Sequence, residues 1–471
     1  MVGAGGKRMA LGRRESREQS MWIATTALPR SPGHPFYQRL NGLLDQAGFD
    51  RFVEDLCAPH YAQEKGRPSI PPGVYFRMLF VGYFEGIDSQ RGIAWRCSDS
   101  LSLREFLWLG PEQRVPEHSS LTVTRKRLPL EAFDRVFEFV LSMMEEAGLL
   151  RGRVVSVDST TLEANAAMKT IVRKDTGEDW KAYVRRLASE EEGIEDPTDE
   201  EGRRFDRKRK KKRVSNREWE SRTDPDARIT KMKDGRTHLA YKAEHVVDLE
   251  TDVVVEAEIY AADQSDSTTL MESVVAADTR LAQAGVETGV EEVVADKGYF
   301  RTENLVECEQ VGMRTYIPEP AYRGRRRWKG GDPERQAATY RNRRRVRGRR
   351  SRALQRRRSE VTERSFAHSC ETGGARRTWL RGLLEVRKRY RMHLAGRNLG
   401  RLMREVFGFG TPRSLQIEGD ALSAALDALL NLARLTGSRW THSVRMAGVI
   451  LCSAWVTPIP AAANCPSSTG C

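Results

Sequence analysis

Two aspartates occupy positions from which carboxylates do metal chemistry. Asp158 closes the run Val154-Val155-Ser156-Val157, and Asp296 closes Val293-Val294-Ala295. Such β-branched, apolar runs favour strands, so each acid is read as the last residue of a short buried strand. A carboxylate there is rigidly held while its oxygens face the rim where ligands bind in open α/β sheets. If the two strands are neighbours, the acids converge and repel, and a divalent cation relieves that repulsion. Magnesium suits the arrangement, because it takes one or two carboxylates together with phosphate oxygens and water. A pair of such ions roughly 3.5–4 Å apart activates an attacking oxygen and stabilises a leaving one in phosphoryl transfer. Taken singly, either aspartate fits a turn cap; Asp296-Lys297-Gly298-Tyr299 reads as a turn with Gly298 at positive φ. Both together on a basic chain favour the metal reading.

The chain is basic. Its 471 residues include 79 lysines and arginines against 65 acids, a formal charge of +14, which points to a polyanionic partner and to nucleic acid first. Hydrophobic residues at 39% fit two or three folded domains rather than a disordered chain. The seven cysteines form no CxxC pair, and their odd number suggests no disulfide framework, so a reducing cytoplasm is the expected compartment. His368 and Cys370 stand close, but no second pair completes a zinc pattern. The longest apolar run, Met446 to Val456, is well short of the roughly 20 residues of a membrane span, so no membrane partner is expected.

The elements that must position the aspartates follow from periodicity. Residues 1–33 read as a loose basic leader, with Met21 as an alternative start. Residues 34–150 read as an all-α N-terminal domain. Phe133, Val136, Phe137, Val140, Leu141 and Met144 form one apolar stripe. Pro71 and Pro72 open another helix, given an apolar side by Val74, Met78, Leu79 and Val81. Short helices are expected around 91–96 and 103–109. Ser119-Ser120-Leu121-Thr122 reads as the capped entry to a helix over 123–128 carrying Arg125, Lys126 and Arg127. This pattern fits a helix-turn-helix DNA reader, and equally a helical scaffold with solvated charges. At Arg153 the period changes. Strands are expected at 154–157, 239–247, 253–260 and 293–295, with a helix over 267–284. That order argues for an α/β domain over 151–405. A helical pattern runs from Leu380 through Leu402 and another over 422–435. The segment 406–471 ends in an irregular tail.

Two charged insertions are expected in the α/β domain, at 170–235 and 323–358. In the first, acidic 190–201 precedes basic 203–213, and like-charge blocks are expected to be solvated and poorly ordered. In the second, Arg323 to Arg358 holds seventeen basic residues against Asp332 and Glu334, with Tyr322, Trp328 and Tyr340 interleaved. That mixture fits phosphate contacts with base or sugar stacking, through Arg325, Arg326, Arg327, Trp328, Arg343, Arg344 and Arg345. A solvated helix is the plainer alternative, but so dense a run of arginine repels itself without a polyanion.

Asp158-Ser159-Thr160 and Asp296-Lys297-Gly298-Tyr299-Phe300, each after an apolar strand, resemble the first two acidic motifs of insertion-sequence DDE transposases of the IS-four and IS-five type. The stretch Glu363-Arg364-Ser365-Phe366-Ala367-His368, followed by Gly373-Gly374-Ala375-Arg376-Arg377 and Leu380-Arg381-Gly382, resembles the third, whose glutamate lies on a helix. Residues 34–130 resemble the helical domain that precedes the core in many relatives. The resemblance spans about residues 34–405.

It implies an RNase H-like mixed sheet flanked by helices, with Asp158, Asp296 and Glu363 as catalytic metal ligands for Mg²⁺, or Mn²⁺ in its place. It also implies cleavage of double-stranded DNA at the element's ends and strand transfer into target DNA, by a DNA-bound homodimer. One departure is clear. Arg358 is one residue from the family's position for an arginine before the glutamate, and Cys370 stands where a lysine is expected after it. Arg364, Arg376 and Arg377 are the substitutes for phosphate contact, and Glu360 and Glu371 are the runners-up to Glu363. Glu163 reads as a solvated loop acid, and His368 as a structural or phosphate-orienting group. Two other functions fit the same sequence: an RNase H-like metal-dependent nuclease that does not join strands, and a non-catalytic DNA-binding remnant of a decayed transposase.

Overall fold

The computed structural model describes residues 33–62, 69–210, 214–232, 234–321, 328 and 332–415. Among them seven α-helices come first: α1 (Pro35–Gln46), α2 (Phe49–Cys57), α3 (Pro72–Glu85), α4 (Gln90–Asp99), α5 (Leu101–Phe106), α6 (His118–Arg127) and α7 (Leu130–Glu146). Then follow β1 (Val154–Glu163), β2 (Ile171–Arg173), α8 (Trp180–Glu192), α9 (Asp199–Lys208), β3 (Trp219–Ser221), β4 (Arg228–Lys231), β5 (Thr237–Asp248) and β6 (Val254–Ala261). The rest are α10 (Asp266–Gln283), β7 (Glu292–Ala295), α11 (Thr302–Gln310), β8 (Arg314–Tyr316), α12 (Pro333–Arg347), α13 (Arg349–Ala367) and α14 (Leu383–Phe407).

The main sheet runs β4-β5-β1-β7-β8, with β6 also paired to β5. β1 is antiparallel to β5 and parallel to β7, and β7 is parallel to β8. This is the mixed sheet flanked by helices of an RNase H-like fold. The β5 side chains show how it is covered: Glu244 meets Thr269 and Ser273 of α10, while the next residue, His245, meets Ser365 of α13. Successive strand residues face opposite sides, so α10 and α13 cover opposite faces.

The stripe on α7 is buried as its period predicts, at Phe133, Val136, Phe137, Val140, Leu141 and Met144. Helix α3 begins with Pro72 in its first turn, but it is buried from Gly73 to Phe84 on nearly every side. A single apolar side was the expectation. Packing of α2, α4 and α14 around α3 makes it a central helix, which its almost uninterrupted apolar composition allows. Helix α6 starts earlier than expected, at His118, and its N-cap Glu117 makes no side-chain cap bond, so the serines are inside the helix.

The first charged segment is ordered. Helices α8 and α9 form a hairpin with a small core of Val184, Ala188 and Phe205. Trp180 and Tyr183 pack on Trp219 of the short β2–β3 ladder, capped by the guanidinium groups of Arg173 and Arg209. Residues 211–213 lie outside the described residues. The second charged segment is no insertion. Its described part forms α12 and α13, and α13 is one of the layers that cover the sheet. The leader 1–32 and the segment 416–471, with its helical pattern at 422–435, lie outside the described residues. Among the described residues no helix is long and apolar enough to cross a membrane.

Candidate active site

The parallel ladder between β1 and β7 ends at Val157 opposite Ala295. Asp158 and Asp296 are each the next residue, so adjacent strands carry the two acids at one level. Val154, Ser156 and Asp158 alternate onto the α13 face, where Ser156 Oγ lies 2.7 Å from Thr362 Oγ1. One expectation is corrected: Asp158 does not end its strand. β1 continues to Glu163 because Thr160, Thr161 and Leu162 keep pairing with β5 after β7 has ended. The Asp158 side chain is a quarter exposed.

Burial pushes the Asp158 carboxyl above the usual carboxylate range; the Arg358 guanidinium pulls it back, and the nearby Asp296 and Asp266 add to the rise. Arg358 Nη1 donates to Asp158 Oδ2 at 2.7 Å, and Gln355 holds the same guanidinium through Nε at 3.0 Å. The arginine that is one residue out of the family position is therefore the one that touches the first acid. Asp296 begins a tight turn and its Oδ1 accepts from Gly298 N at 2.7 Å, so it caps and faces the site at once. Gly298 is not at positive φ, contrary to expectation. Space favours glycine there: a Cβ would lie 2.9 Å from Asp296 Oδ1 and 3.1 Å from Asp266 Oδ2, so the carboxylates would have to shift.

Beneath the acids, on the α10 face, lies a charged network that sequence reasoning missed. Ser159 Oγ donates to Asp266 Oδ1 at 2.8 Å, and Lys242 Nζ lies 3.2 Å from the same oxygen. Lys242 also reaches Glu244, which is fully buried and accepts from Thr269, Ser273 and Tyr299. The network thus grips the residue after Asp158 and the tyrosine three after Asp296. Two signals were available: charged residues in alternation within an apolar strand, and an acid in the first turn of the helix after β6.

Glu363 lies on the exposed side of α13, with no hydrogen bond or ion pair among the described residues, and it is not drawn into contact with the aspartates. Glu360 pairs with Arg364 and Arg357, and Glu371 with Arg376, so neither approaches the site. Glu163 is not on a loop; it ends β1 and pairs its backbone with Arg376 and Thr378. His368 is half-buried, and burial holds its pKa below the ordinary histidine value. Among the described residues no group of three or more His, Cys, Asp or Glu stands ready to hold a metal. Asp158 and Asp296 nonetheless fit a hard divalent cation: two carboxylates at one level on adjacent strands, one of them disfavoured as an anion by its surroundings.

Several expected DNA contacts are committed inside the protein. Arg125 is buried and paired with Glu385. Arg343 binds Glu319, Arg345 binds Glu309 and the Thr315 carbonyl, and Arg364 binds Asp252 and Glu360. Lys126 and Arg127 are exposed, Arg127 over the Tyr61 ring. Arg344 is exposed, Arg376 is exposed beside Glu371, and Arg377 lies over the Trp379 ring. Trp328 stands 6.3 Å from Tyr340, ring to ring, and Arg325, Arg326 and Arg327 lie outside the described residues.

A mixed sheet bringing two aspartates to one level between covering helices is an RNase H-like arrangement. Residues 150–399 match the Transposase DDE domain family, and residues 26–127 match the family described as Transposase domain (DUF772). The chain belongs to the transposase DDE domain family. No curated protein and no solved structure matches it.

Proposed function

We propose that the chain is a DNA transposase that cuts double-stranded DNA at the ends of an insertion sequence and joins the freed strand to target DNA in the cytoplasm. The observation that carries this reading is the pair Asp158 and Asp296, held at one level on parallel neighbours. Asp158, Asp296 and Glu363 are the proposed ligands of Mg²⁺, with Mn²⁺ able to replace it. When bound, the metal supplies a Lewis acid that activates the attacking oxygen and stabilises the leaving one. The chain's own part is orientation. The Ser159 amide and the Asp296 turn hold the two carboxylates, Arg358 balances Asp158, and Glu363 sits on the exposed side of α13. Water is the first nucleophile and a 3′-hydroxyl the second, and no side chain becomes covalently attached to DNA. Two ends must be brought together, which favours a DNA-bound homodimer.

The test is cleavage of a labelled duplex carrying the element's ends, with Mg²⁺, Ca²⁺ or EDTA, by wild type and Asp296→Asn. Mg²⁺-dependent nicking and joining, lost in the variant while DNA binding survives, is expected. Full activity in Asp296→Asn sinks the catalytic assignment. Nicking without joining makes the chain a nuclease, and binding without nicking in wild type makes it a remnant.

A further inference from the structure

Asp266 opens α10 beside both aspartates, and its carboxylate does not serve its own helix. The N-cap, Ser265, makes no side-chain cap bond, and no backbone amide donates to the Asp266 side chain among the described residues. Oδ1 is held twice, by Ser159 Oγ at 2.8 Å and by Lys242 Nζ at 3.2 Å. Oδ2 has no donor among the described residues, and the side chain is 33% exposed. Oδ2 stands 3.1 Å from the point where a Gly298 Cβ would be, and Asp296 Oδ1 stands 2.9 Å from that point, so the two oxygens flank one glycine. Ser159 makes the link to the other acid: its hydroxyl binds Asp266 while its amide donates to Asp158 Oδ1 at 2.8 Å. Asp266 thus borders both residues whose amides hold the two carboxylates.

The charges at this place do not balance. Asp158, Asp296, Asp266 and Glu244 are four acids, and the ion pairs supply two cations, Arg358 and Lys242. Lys297 is exposed and makes no ion pair among the described residues. Ionised together, the acids leave an excess of two negative charges, which one divalent cation cancels. Magnesium usually binds one or two carboxylates and keeps several waters, so a third acid acts on it through that water shell. This agrees with the lack, among the described residues, of a ready-made set of three ligands.

We propose that Asp266 is a further acid of the metal site: Oδ1, locked by Ser159 and Lys242, fixes the carboxylate, and Oδ2 accepts from the water shell of the divalent cation held by Asp158 and Asp296. The proposal rests on the active site proposed above and adds to it a residue outside its three acids.

The experiment titrates Mn²⁺ alone into the full-length chain without DNA, reads free Mn²⁺ by electron paramagnetic resonance, and records melting in EDTA and in Mn²⁺. It compares wild type with Asp266→Asn, Lys242→Met and Asp296→Asn. Asparagine at 266 keeps an acceptor for Ser159 and Lys242, and Glu244 still pairs that lysine, so the fold is retained. Asp266→Asn is expected to weaken Mn²⁺ binding about 10- to 100-fold and to lose most of the melting-temperature rise that Mn²⁺ gives wild type. Lys242→Met breaks the same ion pair but leaves the carboxylate and removes a positive charge. It is expected to melt lower in EDTA yet to bind Mn²⁺ at least as tightly as wild type. A purely structural role for Asp266 predicts weaker binding in both variants, and that result overturns the proposal. Wild-type affinity in Asp266→Asn, with binding lost in Asp296→Asn, also overturns it and leaves the active site standing without Asp266. Wild-type affinity in Asp296→Asn, or no Mn²⁺ binding by wild type, overturns the active-site reading itself and the proposal with it.

Discussion

Replacing Lys242 by methionine keeps most of the side-chain volume and deletes one charge from the network beneath the two aspartates. Lys242 Nζ lies 2.9 Å from Thr269 Oγ1 and 3.2 Å from both Glu244 Oε2 and Asp266 Oδ1. Its side chain is 6% exposed and that of Glu244 is 0% exposed, so water screens the pair little. Removing one partner of a buried pair costs about 3–5 kcal/mol, because the other charge is left uncompensated. Glu244 keeps three hydroxyl donors, from Thr269, Ser273 and Tyr299, and Asp266 is partly solvated, so the low end of about 3 kcal/mol applies. At roughly 2–4 °C per kcal/mol for a domain of this size, the melting temperature should fall by about 6–12 °C. Differential scanning calorimetry and urea melts on the full chain read this directly. Adding Glu244→Gln should restore part of the loss, since it removes the uncompensated charge and keeps an amide oxygen for the buried hydroxyls of Thr269, Ser273 and Tyr299. If the single variant melts within about 0.5 kcal/mol of wild type, or the double is no better than the single, the charge argument is wrong.

Two further outcomes follow from the same geometry. Arg358→Gln removes the cation that opposes the burial-driven rise of the Asp158 pKa, so Asp158 should hold its proton to a higher pH. Metal binding needs the carboxylate, so the acid limb of DNA cleavage should move to higher pH in the variant. A carboxyl whose folded pKa is raised contributes stability that is full below its unfolded value and is lost as pH rises through the folded one. The variant should therefore lose more stability than wild type on going from acid to neutral pH, and an unmoved acid limb refutes the assignment. Gly298→Ala puts a methyl group 2.9 Å from Asp296 Oδ1 on an exposed turn. Cleavage should fall at least tenfold while the melting temperature barely changes; equal activity would show that the Asp296 carboxylate needs no fixed position.

What the sequence disclosed about this molecule was local. β-Branched runs located β1 and β7, and the α7 stripe was read residue for residue, because period and propensity are properties of short windows. The end of β1 was misread because Thr160, Thr161 and Leu162 continue the strand while only its parallel neighbour stops, and that neighbour is more than a hundred residues away. The arginines of 341–350 looked self-repelling for the same reason. Their glutamates, at 292, 309 and 319, are joined to them only by the fold. Arg125 was taken for a surface group because its partner, Glu385, comes 260 residues later. Of the site, both aspartates were legible as strand acids. The Ser159–Asp266–Lys242–Glu244 network was not, since it requires β1, β5 and α10 to be in place together.

The helical region and the sheet are also bound together by charge. Arg280 of α10 pairs with Asp134 and Glu138 of α7 and with Glu256 of β6. Arg391 of α14 pairs with Asp134, Glu256 and Glu258. Arg387 and Arg135 complete the set by reaching Glu258 and Glu138, so four arginines meet four acids and no net charge is buried. Both Arg280 and Arg391 stack against the Phe137 ring of α7. An apolar interface of this size would tolerate small rotations, since hydrophobic contact is non-directional. Stacked guanidinium groups that each bridge three acids tolerate few, because each bond fixes an angle as well as a distance. Such a network adds little net stability over apolar packing. Its consequence is geometric: α7, and the helices packed on it, hold one orientation relative to β6 and hence to the strands that carry Asp158 and Asp296. Any DNA gripped by the exposed Lys126 and Arg127 would then lie at a fixed distance from the two carboxylates, which is what cutting at a defined phosphate requires.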